Sequence, residues 1–148
     1  MQMKQSLLRY KYYGSREYGW YYAEEICRYV GTQIKRWNPD ILVPVPMTCR
    51  KKRIRGFNQA EDLAEKIGEL LQIPVAAGLA VKKRETKSQK KLNAVERMRN
   101  LKDAFQITES VRGLRLLIVD DVYTTGSTIE TLAECLKESG AGEIYFVT

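Results

Sequence analysis

Leu116-Leu117-Ile118-Val119-Asp120-Asp121-Val122-Tyr123-Thr124-Thr125-Gly126-Ser127-Thr128 decides the reading of this chain. Four consecutive aliphatic residues predict a strand buried on both faces, as parallel sheets have. Two carboxylates follow at its carboxyl end. A hydroxyl-rich turn around Gly126 then opens into a segment with Ile129, Leu132, Ala133 and Leu136 at helical spacing, stopped by Gly140. Backbone N–H groups at a helix start form an anion site. Gly126 permits close approach of a phosphate, and Thr124, Thr125, Ser127 and Thr128 can donate to its oxygens. Asp120 and Asp121 repel that phosphate and suit instead the hydroxyls of a sugar, or a divalent metal that those hydroxyls share. The ligand implied is a ribose carrying a 5′-phosphate. An ordinary strand-turn-helix, with Ser127 and Glu130 as a capping box, accounts for Ser127 but not for two adjacent acids beside four hydroxyl residues.

Working outward, the pattern repeats strand and helix. Glu17 to Trp37 sets Tyr18, Tyr22, Ile26, Tyr29, Val30 and Ile34 at helical spacing. Ile41-Leu42-Val43, with Val45, reads as a second buried strand. From Asn58, Ala60, Leu63, Ala64, Ile67, Leu70 and Leu71 form an apolar stripe, with Asn58 and Glu61 spaced as a capping box. Ala104 to Ile107 and Glu143 to Thr148 complete the strands, and Leu79 to Lys102 reads as a long polar connection. This alternation predicts an α/β fold with a mostly parallel sheet, binding its ligand at the strands' carboxyl ends.

The 148 residues fit one domain, 1–148, with 44% hydrophobic and 29% charged residues. The N-terminus has no signal-peptide pattern and no run approaches a membrane span, so a cytoplasmic location without membrane insertion is expected. Histidine is absent and the three cysteines stand far apart. That removes Ser-His-Asp triads, histidine bases and structural zinc sites, including an N-terminal zinc finger. No side-chain cluster for a metal is evident.

The net charge of +7 is concentrated. Arg50 to Arg55 holds five basic residues and no acid; Lys82 to Lys102 holds nine against Glu85 and Glu96. Such concentration fits a polyanionic partner, either nucleic acid or a phosphate-rich small molecule, although solvated loops carry such runs too.

The Asp120 segment resembles the phosphoribosyl pyrophosphate (PRPP) signature of type I phosphoribosyltransferases. Asp40-Ile41-Leu42-Val43-Pro44-Val45-Pro46, Arg53 and Arg55-Gly56-Phe57-Asn58-Gln59-Ala60, with Thr86, Gln89, Leu92, Arg97 and Asn100-Leu101, are similar to the ComF family and its ComFC branch. The resemblance implies the type I phosphoribosyltransferase fold. Asp120 and Asp121 would bind the ribose hydroxyls and steady the cationic transition state as catalytic residues, and Val122, Tyr123, Thr124, Thr125, Gly126, Ser127 and Thr128 would wrap the 5′-phosphate. It assigns pyrophosphate to a loop of Met47, Thr48, Cys49, Arg50, Lys51, Arg53 and Arg55. A flexible loop over residues 82–102, with Lys82, Lys83, Arg84, Lys87, Gln89 and Arg97, would close over substrate. Mg²⁺ would arrive with PRPP, with Asp120 and Asp121 as candidate ligands. Relatives commonly carry a four-cysteine zinc finger and a His-Pro pair where Thr48-Cys49 stand. This chain is therefore either a piece without the finger or a member that lacks it.

The function implied is that of a Mg²⁺-dependent, PRPP-binding phosphoribosyltransferase-like protein serving natural competence. Its expected partners are PRPP, single-stranded DNA and competence-machinery proteins, with a homodimer left open. Tyr10, Tyr12, Tyr13 and Tyr18 could stack on bases or pack a helix. The alternatives are a non-catalytic PRPP- or DNA-binding module and a nucleobase-salvage phosphoribosyltransferase. No segment can be assigned to an acceptor, and a glutamine amidotransferase is excluded by the missing glutaminase machinery.

Overall fold

In a computed structural model of the chain, residues 17–83, 93–96, 104–121 and 127–148 are described. Helix α1 (Glu17–Trp37) leads into strand β1 (Ile41–Pro44), short helix α2 (Cys49–Arg55) and helix α3 (Gln59–Leu71). Strands β2 (Ala80–Lys82), β3 (Phe105–Ile107) and β4 (Leu116–Val119) follow, then helix α4 (Ser127–Glu138) and strand β5 (Ile144–Val147).

β4 is the centre of a parallel sheet ordered β1-β4-β5. Pro44 pairs with Val119 on one side, and Val119 with Val147 on the other. A bridge from Leu42 to Val75 extends the sheet beyond β1. All four β4 side chains are buried, as a strand covered on both faces requires. Leu116 and Ile118 pack with Ile129, Leu132 and Leu136 of α4 and with the β2-β3 layer. Leu117 and Val119 face α1 and α3 through Ala23, Ile34, Leu63 and Ile67. Helices therefore flank the sheet on both faces, as the alternation predicted.

Three details depart from the sequence reading. Lys82 is not in a flexible loop: β2 pairs antiparallel with β3, and Lys82 is buried opposite Phe105. A lysine can occupy such a place because its aliphatic stem packs as a hydrocarbon. Lys83 extends the same connection, its N–H donating to the Ala104 carbonyl at 2.8 Å. Most of the expected pyrophosphate loop is helical. Thr48 caps α2, and Gly56, at φ 87°, ends it in the left-handed conformation that glycine adopts without strain. Tyr29, placed by spacing on the apolar face of α1, is 76% exposed, and Ala23 takes part in the core instead.

An ion pair within α3 places a lysine against α1. Lys66 donates to Asp62 at 2.6 Å, with both side chains nearly buried, and its ammonium lies 5.6 Å from the Trp20 ring centroid. At the far end of α1, Trp37 stacks on Tyr145 of β5 with centroids 4.5 Å apart.

Candidate functional site at the strand exits

Because β1 and β4 are parallel and in register, their carboxyl ends emerge side by side. The Val45 N–H donates to the Val119 carbonyl at 2.8 Å, and the Asp120 N–H to the Val147 carbonyl at 3.1 Å. The backbone is thus held in the ladder up to the first acid. Asp120 then turns: its Oδ1 accepts from the Asp121 N–H at 2.8 Å. Both acids are half-buried. At the opposite end of the same strand pair, Asp40 has a structural task, its Oδ2 accepting from the Arg115 N–H at 2.7 Å.

Beside the acids, the chain leaving β1 passes through Pro46 and Met47 to Thr48, whose hydroxyl accepts from the Lys51 N–H at 3.3 Å. α2 carries Arg50, Lys51, Lys52, Arg53 and Arg55, and none of its residues is buried. Lys52 lies 3.7 Å from Glu61, and Arg55 donates to the Gln59 amide oxygen at 3.5 Å. The N-cap of α3 is Asn58, which accepts from the Ala60 N–H at 3.0 Å. Glu61, the second member of the expected capping box, is turned toward Lys52.

Of the residues predicted to bind ligand, Asp120 and Asp121 stand at the exit of β4, and Met47, Thr48, Cys49, Arg50, Lys51, Arg53 and Arg55 follow the neighbouring exit of β1. Ser127 and Thr128 open α4. Val122, Tyr123, Thr124, Thr125 and Gly126 lie outside the described residues, as do Arg84, Lys87, Gln89 and Arg97. Sequence reasoning missed the bond from the Asn58 amide to the Val45 carbonyl, 3.1 Å long. It also missed a cavity of about 410 Å³ beside Asp121, walled mainly by apolar and aromatic groups of Tyr22, Ile26, Val30, Trp37 and Phe146. No sequence signal points to that cavity, since its walls come from α1, α3 and β5.

Among the described residues no group of three or more histidine, cysteine or acidic side chains could hold a metal. Two adjacent carboxylates provide hard oxygen ligands but an incomplete shell. This donor set suits Mg²⁺ only when a substrate's oxygens complete it. Two of the three thiols, Cys135 and Cys27, are held toward their protonated form. Burial, with repulsion from Glu134 and Glu138, pushes Cys135 up to about 11, and burial raises Cys27 against the opposing charge of Lys35. Among the described residues, no helix is long and apolar enough to cross a membrane.

Comparison with known proteins accords with this geometry. The family model "Phosphoribosyl transferase domain" matches residues 23–148. The chain is 40% identical over 106 residues to "DNA utilization protein YhgH" of Salmonella typhi, covering 72% of this chain and 47% of that protein. It is 33% identical over 143 residues to "Competence protein ComFC" of Bacillus subtilis, covering 93% of this chain and 55% of the relative. The chain thus spans about half the length of the curated relatives it matches. Its fold resembles the crystal structure of purine phosphoribosyltransferase from Pyrococcus horikoshii, with a TM-score of 0.54, 19% identity and coverage of 86% of this chain and 71% of that one. A parallel sheet with paired acids leaving its central strand, together with these matches, makes the chain a phosphoribosyltransferase-like member of the ComF family.

Proposed function

We propose that this chain binds PRPP together with Mg²⁺ and transfers its phosphoribosyl group to an acceptor, in a process that handles single-stranded DNA during natural competence. The observation that carries this reading is the pairing of Pro44 with Val119. It sets the Asp120-Asp121 exit beside the exit that leads to the basic helix α2. A ribose diol needs acceptors, and a departing pyrophosphate needs cations. The two adjacent exits supply one each.

In that reading, Asp120 and Asp121 accept hydrogen bonds from the ribose 2′- and 3′-hydroxyls and hold the sugar while the bond from its anomeric carbon to pyrophosphate breaks. Their charge stabilises the oxocarbenium character that develops on the ring. Residues 122–128 take the 5′-phosphate, using the start of α4. Arg50, Lys51, Arg53 and Arg55 favour the leaving pyrophosphate, whose charge Mg²⁺ would partly neutralise. Residues 83–102 would exclude the water that otherwise captures the ribosyl cation.

The link to DNA rests on the relatives named for DNA utilization and competence. It is supported by α2, a helix with no buried residue, five basic residues and no acid. Calorimetric titration of PRPP with Mg²⁺ into the wild type and the Asp120→Asn/Asp121→Asn variant tests the pocket. Binding by the wild type alone is expected, and equal affinities would refute the assignment.

A further inference from the structure

Arg55-Gly56-Phe57-Asn58-Gln59 is the most distinctive segment outside the phosphate-ribose motif, yet of it only Arg55 has a part in the proposed chemistry. The placement of Asn58 gives the rest a purpose. Val45 lies between Pro44 and Pro46, and prolines have no N–H to donate. Val45 is therefore the one residue of the three that can bind the neighbouring strand as a donor, and it does so at Val119, immediately before Asp120. Its carbonyl accepts from the Asn58 Nδ2 at 3.1 Å. The Oδ1 of the same amide caps α3 through the Ala60 N–H.

One buried side chain thus ties the exit of β1 to the start of α3. Everything assigned to pyrophosphate lies in the excursion between these two points. α2 buries no residue of its own, so core packing does not hold it. Its two ends are fixed at Val45 on one side, and at Gly56, the buried Phe57 and Asn58 on the other. The outer ties, Lys52 to Glu61 and Arg55 to Gln59, are long and reach the same α3 turn.

We infer that Asn58 is a positioning residue which, through the Val45 carbonyl, clamps the base of the α2 excursion and sets the basic helix beside Asp120. The ligand side of this inference rests on the PRPP reading above. It explains why asparagine stands at this cap. Serine and aspartate cap helices about as well, but an ionised aspartate has no donor, and serine has one shorter hydroxyl to serve both partners where asparagine uses two separate atoms, Oδ1 for the Ala60 N–H and Nδ2 for the Val45 carbonyl.

The test uses the full chain with Asn58→Ser and Asn58→Asp, both of which keep a capping oxygen. If serine proves too weak a cap, aspartate, favoured by the α3 dipole, keeps the helix. Two ligands are titrated separately: pyrophosphate with Mg²⁺, and ribose 5-phosphate. We expect pyrophosphate affinity to fall about tenfold, as loss of one well-placed hydrogen bond can cause. Ribose 5-phosphate, held at β4 and α4, should bind within about twofold of wild type. Hydrogen exchange should quicken over residues 46–55 but not over 116–119. Equal loss of both ligands with a lower melting point would mean a merely structural role and overturn the inference. Unchanged pyrophosphate affinity and exchange would do the same. If the wild type binds neither ligand, the PRPP reading fails, and exchange over 46–55 then decides the clamp alone.

Discussion

Replacing Asp120 separates the fold from the site, because its two carboxylate oxygens have different tasks. Oδ1 accepts from the Asp121 N–H at 2.8 Å and shapes the turn that leaves β4. Asp120→Asn keeps an oxygen for that bond and turns the other atom into an NH₂, a donor where a ribose hydroxyl needs an acceptor. The stability loss should then stay below about 1 kcal/mol, the size of one neutral hydrogen bond. Asp120→Ala removes the acceptor and strands a half-buried N–H, which costs about 1–3 kcal/mol. For a chain of this size that is a fall of roughly 2–10 °C in melting temperature.

Ligand binding should respond in the opposite proportion. Hydrogen bonds to a charged acceptor contribute about 1.5–3 kcal/mol each. Asp120→Asn/Asp121→Asn removes two of them, so PRPP affinity should fall by about 10² to 10⁴. Differential scanning calorimetry and titration with PRPP and Mg²⁺ read the two effects on the same samples. If the double asparagine variant bound PRPP within threefold of wild type, the diol assignment would be wrong. If it melted as low as Asp120→Ala, the division of labour between the oxygens would be wrong.

Glycine positions test the packing of α3 and α1. A Cβ at Gly68 would meet the Ile73 carbonyl oxygen and Val75 Cγ2, both at 2.7 Å, so Gly68→Ala should lower stability in urea by about 1–3 kcal/mol despite alanine's better helix propensity. At Gly31, where the nearest atoms are 3.8 and 3.9 Å away, the same change should raise it by about 0.5–1 kcal/mol. Asp62→Ala leaves the nearly buried Lys66 ammonium without its carboxylate and should cost about 2–4 kcal/mol, most of it recovered in Asp62→Leu/Lys66→Met. The Cys135 thiol is raised from 9.0 to about 11, so the folded state favours its protonated form. That contribution, about 2–3 kcal/mol, is fully present below pH 9 and is lost as pH rises through about 11. Chemical denaturation between pH 8 and 11 should show the decline, and Cys135→Ala should flatten it.

Much of this architecture is legible in the sequence where burial is two-sided or periodic. Leu116–Val119 and the stripe from Ala60 to Ile67 could hardly be read otherwise. What escapes is whatever lacks an apolar signature. α2 has no buried residue, so no periodicity announces it, and only Thr48 and Gly56, its two caps, mark its ends. β2 is three residues long and ends in Lys82, and its partner β3 begins more than twenty residues later, so local alternation carries no signal for the pairing. Asn58 reads locally as a helix cap. Its second bond, to a carbonyl thirteen residues back, exists only in the fold.

The same contrast explains why the proposed donor site has a reading in the sequence while an acceptor site has none. A parallel sheet brings successive strand exits to one edge, whatever length of chain separates them. Pro44 and Val119 are seventy-five residues apart yet paired. In the proposed site a ligand that spans the edge would be met by short, contiguous pieces: two acids after β4, the basic helix after β1, and the start of α4. Each piece is a local run and can be read as one. The cavity beside Asp121 is built differently. Its walls are single side chains from α1, α3 and β5, spaced by helix and strand geometry and indistinguishable in sequence from core residues. Tyr22 and Ile26 carry the same apolar signature as Ile34, which is wholly buried. Edge sites are written in segments and face sites in single residues, so sequence alone exposes only the first.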